Sequence, residues 1–226
     1  MWQDDIKNLG FAIMPGVLRA DQAASALTDL SKSSLPRSKA GIRHMLSDKM
    51  TAALAHDFRL MAIAREVLGR KATPFRATLF DKSPNANWLV VWHQDTALPL
   101  QKKNESAGWG PWSVKQGVIY AHAPASALEK VLALRVHLDD STLENGPLRI
   151  LPGTHALGVL SDDSIEQAAG RIVARDCLVP RGGILAMRPL VIHASSKSQI
   201  EQPRRVLHIE YAASLTVAEG MQLAQA

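Results

Sequence analysis

An apolar, β-prone run, Trp88-Leu89-Val90-Val91-Trp92, ends in His93-Gln94-Asp95. Side chains at i and i+2 leave the same face of a strand, so an imidazole and a carboxylate at this spacing converge on one point. They make two-thirds of a 2-His-1-carboxylate facial triad, a cradle for non-haem Fe(II) that leaves coordination positions open. The motif is short and the chain has eight histidines, so chance matches are expected. A second one is present, His137-Leu138-Asp139. The bland alternative for either is a buried, hydrogen-bonded His–Asp pair.

The last third supplies more of the same chemistry. His193 lies in the apolar stretch Val191-Ile192-His193-Ala194-Ser195, and Arg204 opens the next strand eleven residues on. Two adjacent antiparallel strands joined by that connection would set His193 and Arg204 across one barrel mouth. A guanidinium is a planar fork that suits a carboxylate and keeps its charge when partly buried. Arg205 is next door, but its side chain should point the other way on a strand. Arg204 is therefore the preferred anchor.

These residues need a frame. Residues 2–18 read as a short helix and then a strand-like Phe11–Leu18, and Asp21 is placed to cap a helix through Ser31. Residues 31–41 read as loop. Residues 42–68 are again helical in period, closed by Gly69 as C-cap. Alternation then takes over. Pro74–Phe80 reads as a strand, Ser83-Pro84-Asn85-Ala86-Asn87 as a turn, and residues 99–117 as a long loop of the kind that forms lids. Trp109 and Trp112 are expected to pack that loop, with a substrate lid as the alternative. Further strands are predicted at Val131–Leu138, Leu148–Leu151, Cys177–Val179, Ile184–Met187, Val191–Ala194 and Arg205–Ala213, with a short helix over Asp162–Ala169. Asn145-Gly146 and Gly182-Gly183 are turn signals. The expectation is one domain over residues 1–226. Residues 1–70 form a mostly helical layer, packed on a barrel or sandwich of about eight strands over 71–226.

The totals agree. The chain has 226 residues with 46% hydrophobic content, enough for one sizeable core. Its net charge of +5 comes from scattered basic residues, so no nucleic-acid face is expected. Cys177 is the one cysteine, which forbids an intramolecular disulfide and suits a reducing compartment. No signal peptide is read at the N-terminus, and no apolar run approaches the ~20 residues of a membrane span. A cytoplasmic location and a small-molecule partner are expected, with no membrane and no nucleic acid. Oligomeric state is not legible.

The chain resembles the phytanoyl-CoA dioxygenase family of Fe(II)/2-oxoglutarate oxygenases. The matching pieces are Trp92-His93-Gln94-Asp95, Glu144-Asn145-Gly146-Pro147-Leu148, Leu151-Pro152-Gly153-Thr154-His155, and His193-Ala194-Ser195 with Arg204. They run in family order, and Gly10–Leu18 is similar to the family's N-terminal segment. The resemblance implies a mainly β double-stranded β-helix, or jelly roll, flanked by helices, with iron inside one end. It implies His93, Asp95 and His193 as iron ligands. It also implies Arg204 on the distal carboxylate of 2-oxoglutarate, with Ser195 hydrogen-bonding the same group. The implied activity is hydroxylation, or another oxidation, of an unactivated C–H bond in a small or medium metabolite. The cofactors are Fe(II), 2-oxoglutarate and O2, with ascorbate as a reductant, and the co-products are succinate and CO2. Related halogenases carry a small residue where this chain has Asp95, so the carboxylate argues for hydroxylation. Asp139 matches an acidic family residue that is not a ligand, which sets the second His-x-Asp aside.

Arg135 stands where the family often has an aromatic residue, commonly Trp. His137 shares its strand face and is either a pocket residue or part of a satisfied polar network. His155 reads as structural, His44 and His56 as surface, and Cys177 as inert core. His122 and His208 have no partner that the sequence names. Two other classes compete: a cupin-like metal enzyme without 2-oxoglutarate, and a non-catalytic jelly-roll binding module. Arg204 discriminates, because only a 2-oxoglutarate user needs an internal cation there.

Overall fold

The computed structural model of the chain describes residues 1–38, 41–83 and 86–226. Pro84 and Asn85 of the anticipated turn, and Lys39 and Ala40 of the anticipated loop, lie outside the described residues.

Two antiparallel sheets carry the fold. The larger has seven strands, in the order Phe11–Met14, Ile184–Met187, Val131–His137, Arg204–Ala212, Thr73–Lys82, Gly41–Ile42, Arg37–Ser38. The smaller has four, in the order Arg175–Cys177, Leu148–Ile150, His193–Ser195, Val90–His93. This is the mainly β jelly roll expected, built as a sandwich, with no closed barrel among the described residues.

Side-chain alternation along the long strands assigns the two faces. Leu132, Leu134, Val136, Leu207 and Ile209 face outward into a core shared with Ile6, Leu30, Met45 and Leu60 from the N-terminal segments. Burying each such side chain contributes about 1.5–3 kcal/mol. The Tyr211 hydroxyl adds a bond to the Ala55 carbonyl at 2.8 Å. Ala133 faces the other way, packed with Phe11, Leu148, Ile150, Cys177 and Val191 between the sheets. Arg135, Arg204 and His208 inherit that inward parity, which is how polar side chains reach the interior. Cys177 is buried among these apolar groups, as expected for an inert thiol.

Several boundaries differ from expectation. The second helix is Ala20–Leu30 and begins at Arg19, not at an Asp21 cap; Asp21 sits in the first turn, where its charge suits the helix dipole, and accepts from Arg19 at 3.0 and 2.8 Å. The anticipated helix over 42–68 is broken into a 3-10 turn at Met45–Ser47 and helices at Lys49–Ala55 and Phe58–Leu68. Asp48 and Asp57 make the breaks by capping, accepting from the Thr51 and Arg59 amides at 2.9 Å each. Within the anticipated loop over 31–41, Arg37–Ser38 and Gly41–Ile42 pair at the sheet edge. A Cβ at Gly41 would lie 1.8 Å from the Leu79 carbonyl oxygen, so only glycine permits that approach.

The long loop is the largest correction. Ala97–Leu100, Val118–His122 and Trp112–Lys115 form a third sheet, which leaves only residues 101–111 irregular. Gln116 and Gly117 both have positive φ, 51° and 82°, the backbone of a two-residue hairpin turn. Trp109 and Trp112 pack against the apolar cluster beneath, as the packing reading expects. The strand at His193 runs His193–Ser195 because Val191 is held in a turn, its amide donating to the Arg188 carbonyl at 3.1 Å. Likewise the strand expected at Cys177–Val179 is Arg175–Cys177. The helix at Asp162–Arg171 is present and capped by Ser161. Among the described residues no helix is long and apolar enough to cross a membrane.

Candidate active site

His93 and His193 are direct neighbours across the small sheet, paired in register. Their rings lie 4.2 Å apart between centroids. Asp95 is not on the strand, which stops at His93. The Asp95 amide instead donates to the Pro189 carbonyl at 2.9 Å. Gln94 points the opposite way, donating to the Gly158 and Leu190 carbonyls at 2.8 and 2.7 Å and accepting from the Leu160 amide at 2.9 Å. The intended alternation is thus enforced by hydrogen bonds where the ladder has ended.

The result is a compact donor set. One ligand atom from each of His93, Asp95 and His193 lies within 4.8 Å of the others. Each Nε2 faces the carboxylate, at 3.7 Å for His93 and 3.6 Å for His193. Each Nδ1 donates to a backbone carbonyl, Val91 at 2.8 Å and Val191 at 3.0 Å. That bond fixes the tautomer with a lone pair on Nε2, as ligation requires. Burial, ahead of the opposing effect of Asp95, pushes the His193 imidazole down to about 4, so it is neutral at physiological pH. Burial would push the Asp95 carboxyl up, but His193 and His93, with His208 and Arg76 behind, hold it well below the usual carboxylate range. Two imidazole nitrogens and one carboxylate on one side of a point fit a divalent iron.

Beside the triad is a cavity of about 210 Å³ that also takes in Lys82, Arg135, Ser195 and Arg204. Arg204 and Lys82 are register partners on the large sheet. Both converge on Ser195: the Lys82 ammonium donates to Ser195 Oγ at 2.8 Å and the Arg204 guanidinium at 3.3 Å. Ser195 Oγ in turn donates to the Gly146 carbonyl at 2.9 Å. Gly146 has φ +66°, and a Cβ there would lie 2.3 Å from the Ser196 carbonyl oxygen, so this close approach also requires glycine. Lys82 also donates to the Ser196 carbonyl and lies over the Trp88 ring at 5.5 Å. Arg135 lies over Phe80 at 5.2 Å and donates to His208 Nδ1 at 3.0 Å, while its Nε is buried with no partner among the described residues.

Three buried cations therefore share one cavity, and Asp95 is the only carboxylate lining it among the described residues. Burial, then repulsion from Arg204 and Arg135, pushes the Lys82 ammonium down to about 7. Burial and Arg135 push Arg204 down to about 9. Such a cluster is costly unless an anion completes it.

Lys82 was not singled out in the sequence. The signal was available: extending the Pro74–Phe80 alternation by one period puts Lys82 on the face of Phe80. The other expectations sort cleanly. Arg205 pairs with Asp139 at 2.7 Å, away from the cavity, and Arg181 reaches Asp139 at 3.2 Å. The second His-x-Asp is thus an ion-pair site, and His137 is buried with both ring nitrogens unpartnered among the described residues. His155 bonds the Lys7 carbonyl at 3.1 Å, a structural contact. His122 bonds Thr96 at 2.6 Å. His44 is not a simple surface residue, because its ring bonds the Tyr120 hydroxyl at 3.2 Å.

Fold and cluster together define a jelly-roll protein with a His/carboxylate/His metal-ligand set. The chain belongs to the phytanoyl-CoA dioxygenase family, whose model matches residues 8–206. It is 27% identical over 190 residues to the L-proline trans-4-hydroxylase of Streptomyces griseoviridis; the match covers 73% of this chain and 63% of that relative. Among solved structures it is similar to EctD from S. alaskensis with 2-oxoglutarate and 5-hydroxyectoine, at TM-score 0.70 and 18% identity, over 93% of this chain and 74% of that one. HygX from Streptomyces hygroscopicus with nickel and 2-oxoglutarate gives TM-score 0.66 and 18% identity, over 93% and 85%. At these identities the structural matches establish the fold.

Proposed function

We propose that the chain is an Fe(II)- and 2-oxoglutarate-dependent oxygenase that hydroxylates, or otherwise oxidises, a C–H bond of a small or medium metabolite. Succinate and CO2 are the co-products. The observation that carries this reading is the adjacency of the three-atom donor set to a small cavity that holds Lys82, Arg135 and Arg204 and, among the described residues, no carboxylate but that of Asp95. Residues 1–226 act as one oxygenase domain, and a cytoplasmic location suits its single, buried cysteine.

His93 Nε2, His193 Nε2 and a carboxylate oxygen of Asp95 hold the metal. When bound, iron with 2-oxoglutarate and O2 supplies the oxidising chemistry, and the protein supplies binding, orientation and shielding. Val91 and Val191 keep both imidazoles aimed. Arg204 and Lys82 grip the distal carboxylate of 2-oxoglutarate, and Ser195 orients both cations on it. Phe80, Trp88 and Leu148 wall the cavity and limit water. Relatives support the activity class: one curated relative is an L-proline trans-4-hydroxylase, and the EctD structure holds both 2-oxoglutarate and 5-hydroxyectoine.

The test is anaerobic titration with Fe(II) and 2-oxoglutarate followed by visible absorption, then succinate analysis in air with ascorbate. A weak metal-to-ligand charge-transfer band and succinate formation are expected. Iron binding without a band would favour a metal enzyme that does not use 2-oxoglutarate.

A further inference from the structure

Asp95 borders a second cavity, of about 260 Å³, which Arg204 does not line. Its walls come from the end of the sheet-edge hairpin (Arg43), from Thr73–Lys82 (Arg76) and from the third sheet (Lys115, Tyr120, His122). Asp95 is the only carboxylate lining it among the described residues, and that group belongs to the donor set. Arg76 is fixed: its Nε pairs with Glu210 and one terminal nitrogen donates to the Ala97 carbonyl at 2.9 Å. Arg43 and Lys115 have no ion-pair partner among the described residues. Arg76 and Lys115 lie over the Tyr120 ring, at 5.7 and 5.1 Å. The Tyr120 hydroxyl is held by His44. Burial first, then the nearby Arg43 and Arg76, lowers the Lys115 ammonium from its usual range, a sign that these like charges sit close together.

We infer that this cavity receives the substrate and that the substrate carries a carboxylate, gripped by Arg43 and Lys115 over the Tyr120 ring. This deepens the oxygenase reading and rests on it. The arrangement sets the charged group at the mouth and leaves the rest of the molecule to extend toward Asp95 and the metal position. Glu210 compensates Arg76, so two cations remain for the ligand. The volume lies just below the roughly 300 Å³ where drug-sized pockets begin, so the occupant is a small metabolite.

The test uses benzoate as the probe and benzamide, of the same shape without the charge, as the control. Protein presaturated anaerobically with Fe(II) and 2-oxoglutarate is titrated with each by calorimetry, for the wild type, R43Q, K115Q and the double variant. Benzoate is expected to bind about tenfold more tightly than benzamide, and each single substitution to weaken benzoate about fivefold, as half-exposed charge contacts do. The affinity for 2-oxoglutarate should stay unchanged in every variant. In a screen for stimulated succinate formation, small carboxylates should act and their primary amides should not. Equal binding of benzamide, no benzoate binding, or indifference to both substitutions would overturn the assignment. The oxygenase reading is scored separately, by the charge-transfer band before benzoate is added. A missing band with intact benzoate selectivity would condemn that reading and leave the anion site standing.

Discussion

The two facing sheets bring opposite kinds of chemistry to one cavity. The small sheet contributes His93 and His193, whose Nδ1 atoms each donate to the backbone carbonyl two residues earlier. The large sheet contributes Lys82, Arg135 and Arg204, three cations in a cavity where Asp95 is the only carboxylate among the described residues. Short strands with local hydrogen bonds suit a metal, which needs fixed lone pairs. Long paired strands suit an anion site, because Arg204 lies opposite Lys82, and Arg135, opposite His208 four residues further along, lines the same cavity. Substitutions on the two sheets should therefore fail differently.

The sharpest break is on the small sheet. His193→Ala should abolish tight iron binding and lower turnover by more than about a hundredfold, since even indirect partners of a metal cost 10–100-fold. Metal analysis after desalting, with circular dichroism to confirm folding, checks it. Arg204→Ala, on the large sheet, should leave iron content unchanged. It should weaken 2-oxoglutarate by about a hundredfold, the cost of removing a buried charge partner. A variant that lost both together would erase the distinction between the sheets.

The same division explains what the sequence disclosed. His93 and Asp95 are two residues apart, so their convergence is local and legible. His193 and Arg204 became specific only through family order, because their meeting depends on which strands pair. Extending the alternation one period past Phe80 gives the face of Lys82, but its place beside Arg204 depends on a register that spacing within Thr73–Lys82 does not encode. The hairpin at Gln116-Gly117 was hidden by the Gly/Pro/Trp-rich stretch before it, which reads as loop. The helix breaks at Asp48 and Asp57 were visible as capping residues but were outvoted by a continuous apolar period. Arg135 stood out as a departure, yet its contacts with Phe80 and His208 are long-range and came only with the fold.

Lys82 gives a smaller and more particular effect. Its ammonium is pushed down to about 7 from 10.5 by burial, then by Arg204 and Arg135. A bound carboxylate raises it again, so binding takes up a proton. Affinity for 2-oxoglutarate should be full where Lys82 is already protonated, below about 7, and fall as pH rises above that value. Stability of the ligand-free protein should move the other way. The unfolded chain holds this proton up to about 10.5, so the folded state gains stability as pH rises from about 7 toward it. Lys82→Gln should weaken binding about tenfold at pH 6.5, in line with losing a charged hydrogen bond, and flatten the pH profile.

Arg135→Trp should have the least effect at neutral pH, within about threefold on 2-oxoglutarate affinity, because Arg135 lies beside the anion grip and not in it. Its value is diagnostic. Arg135 is one of the charges that lower Lys82. Removing it should raise the Lys82 ammonium, so the fall in 2-oxoglutarate affinity moves to higher pH. Calorimetric titration of 2-oxoglutarate across pH 6 to 9 in both proteins reads that displacement directly. An unmoved profile would mean that the cations of the large sheet do not act on one another, and that the cavity is a set of separate contacts instead of one anion site.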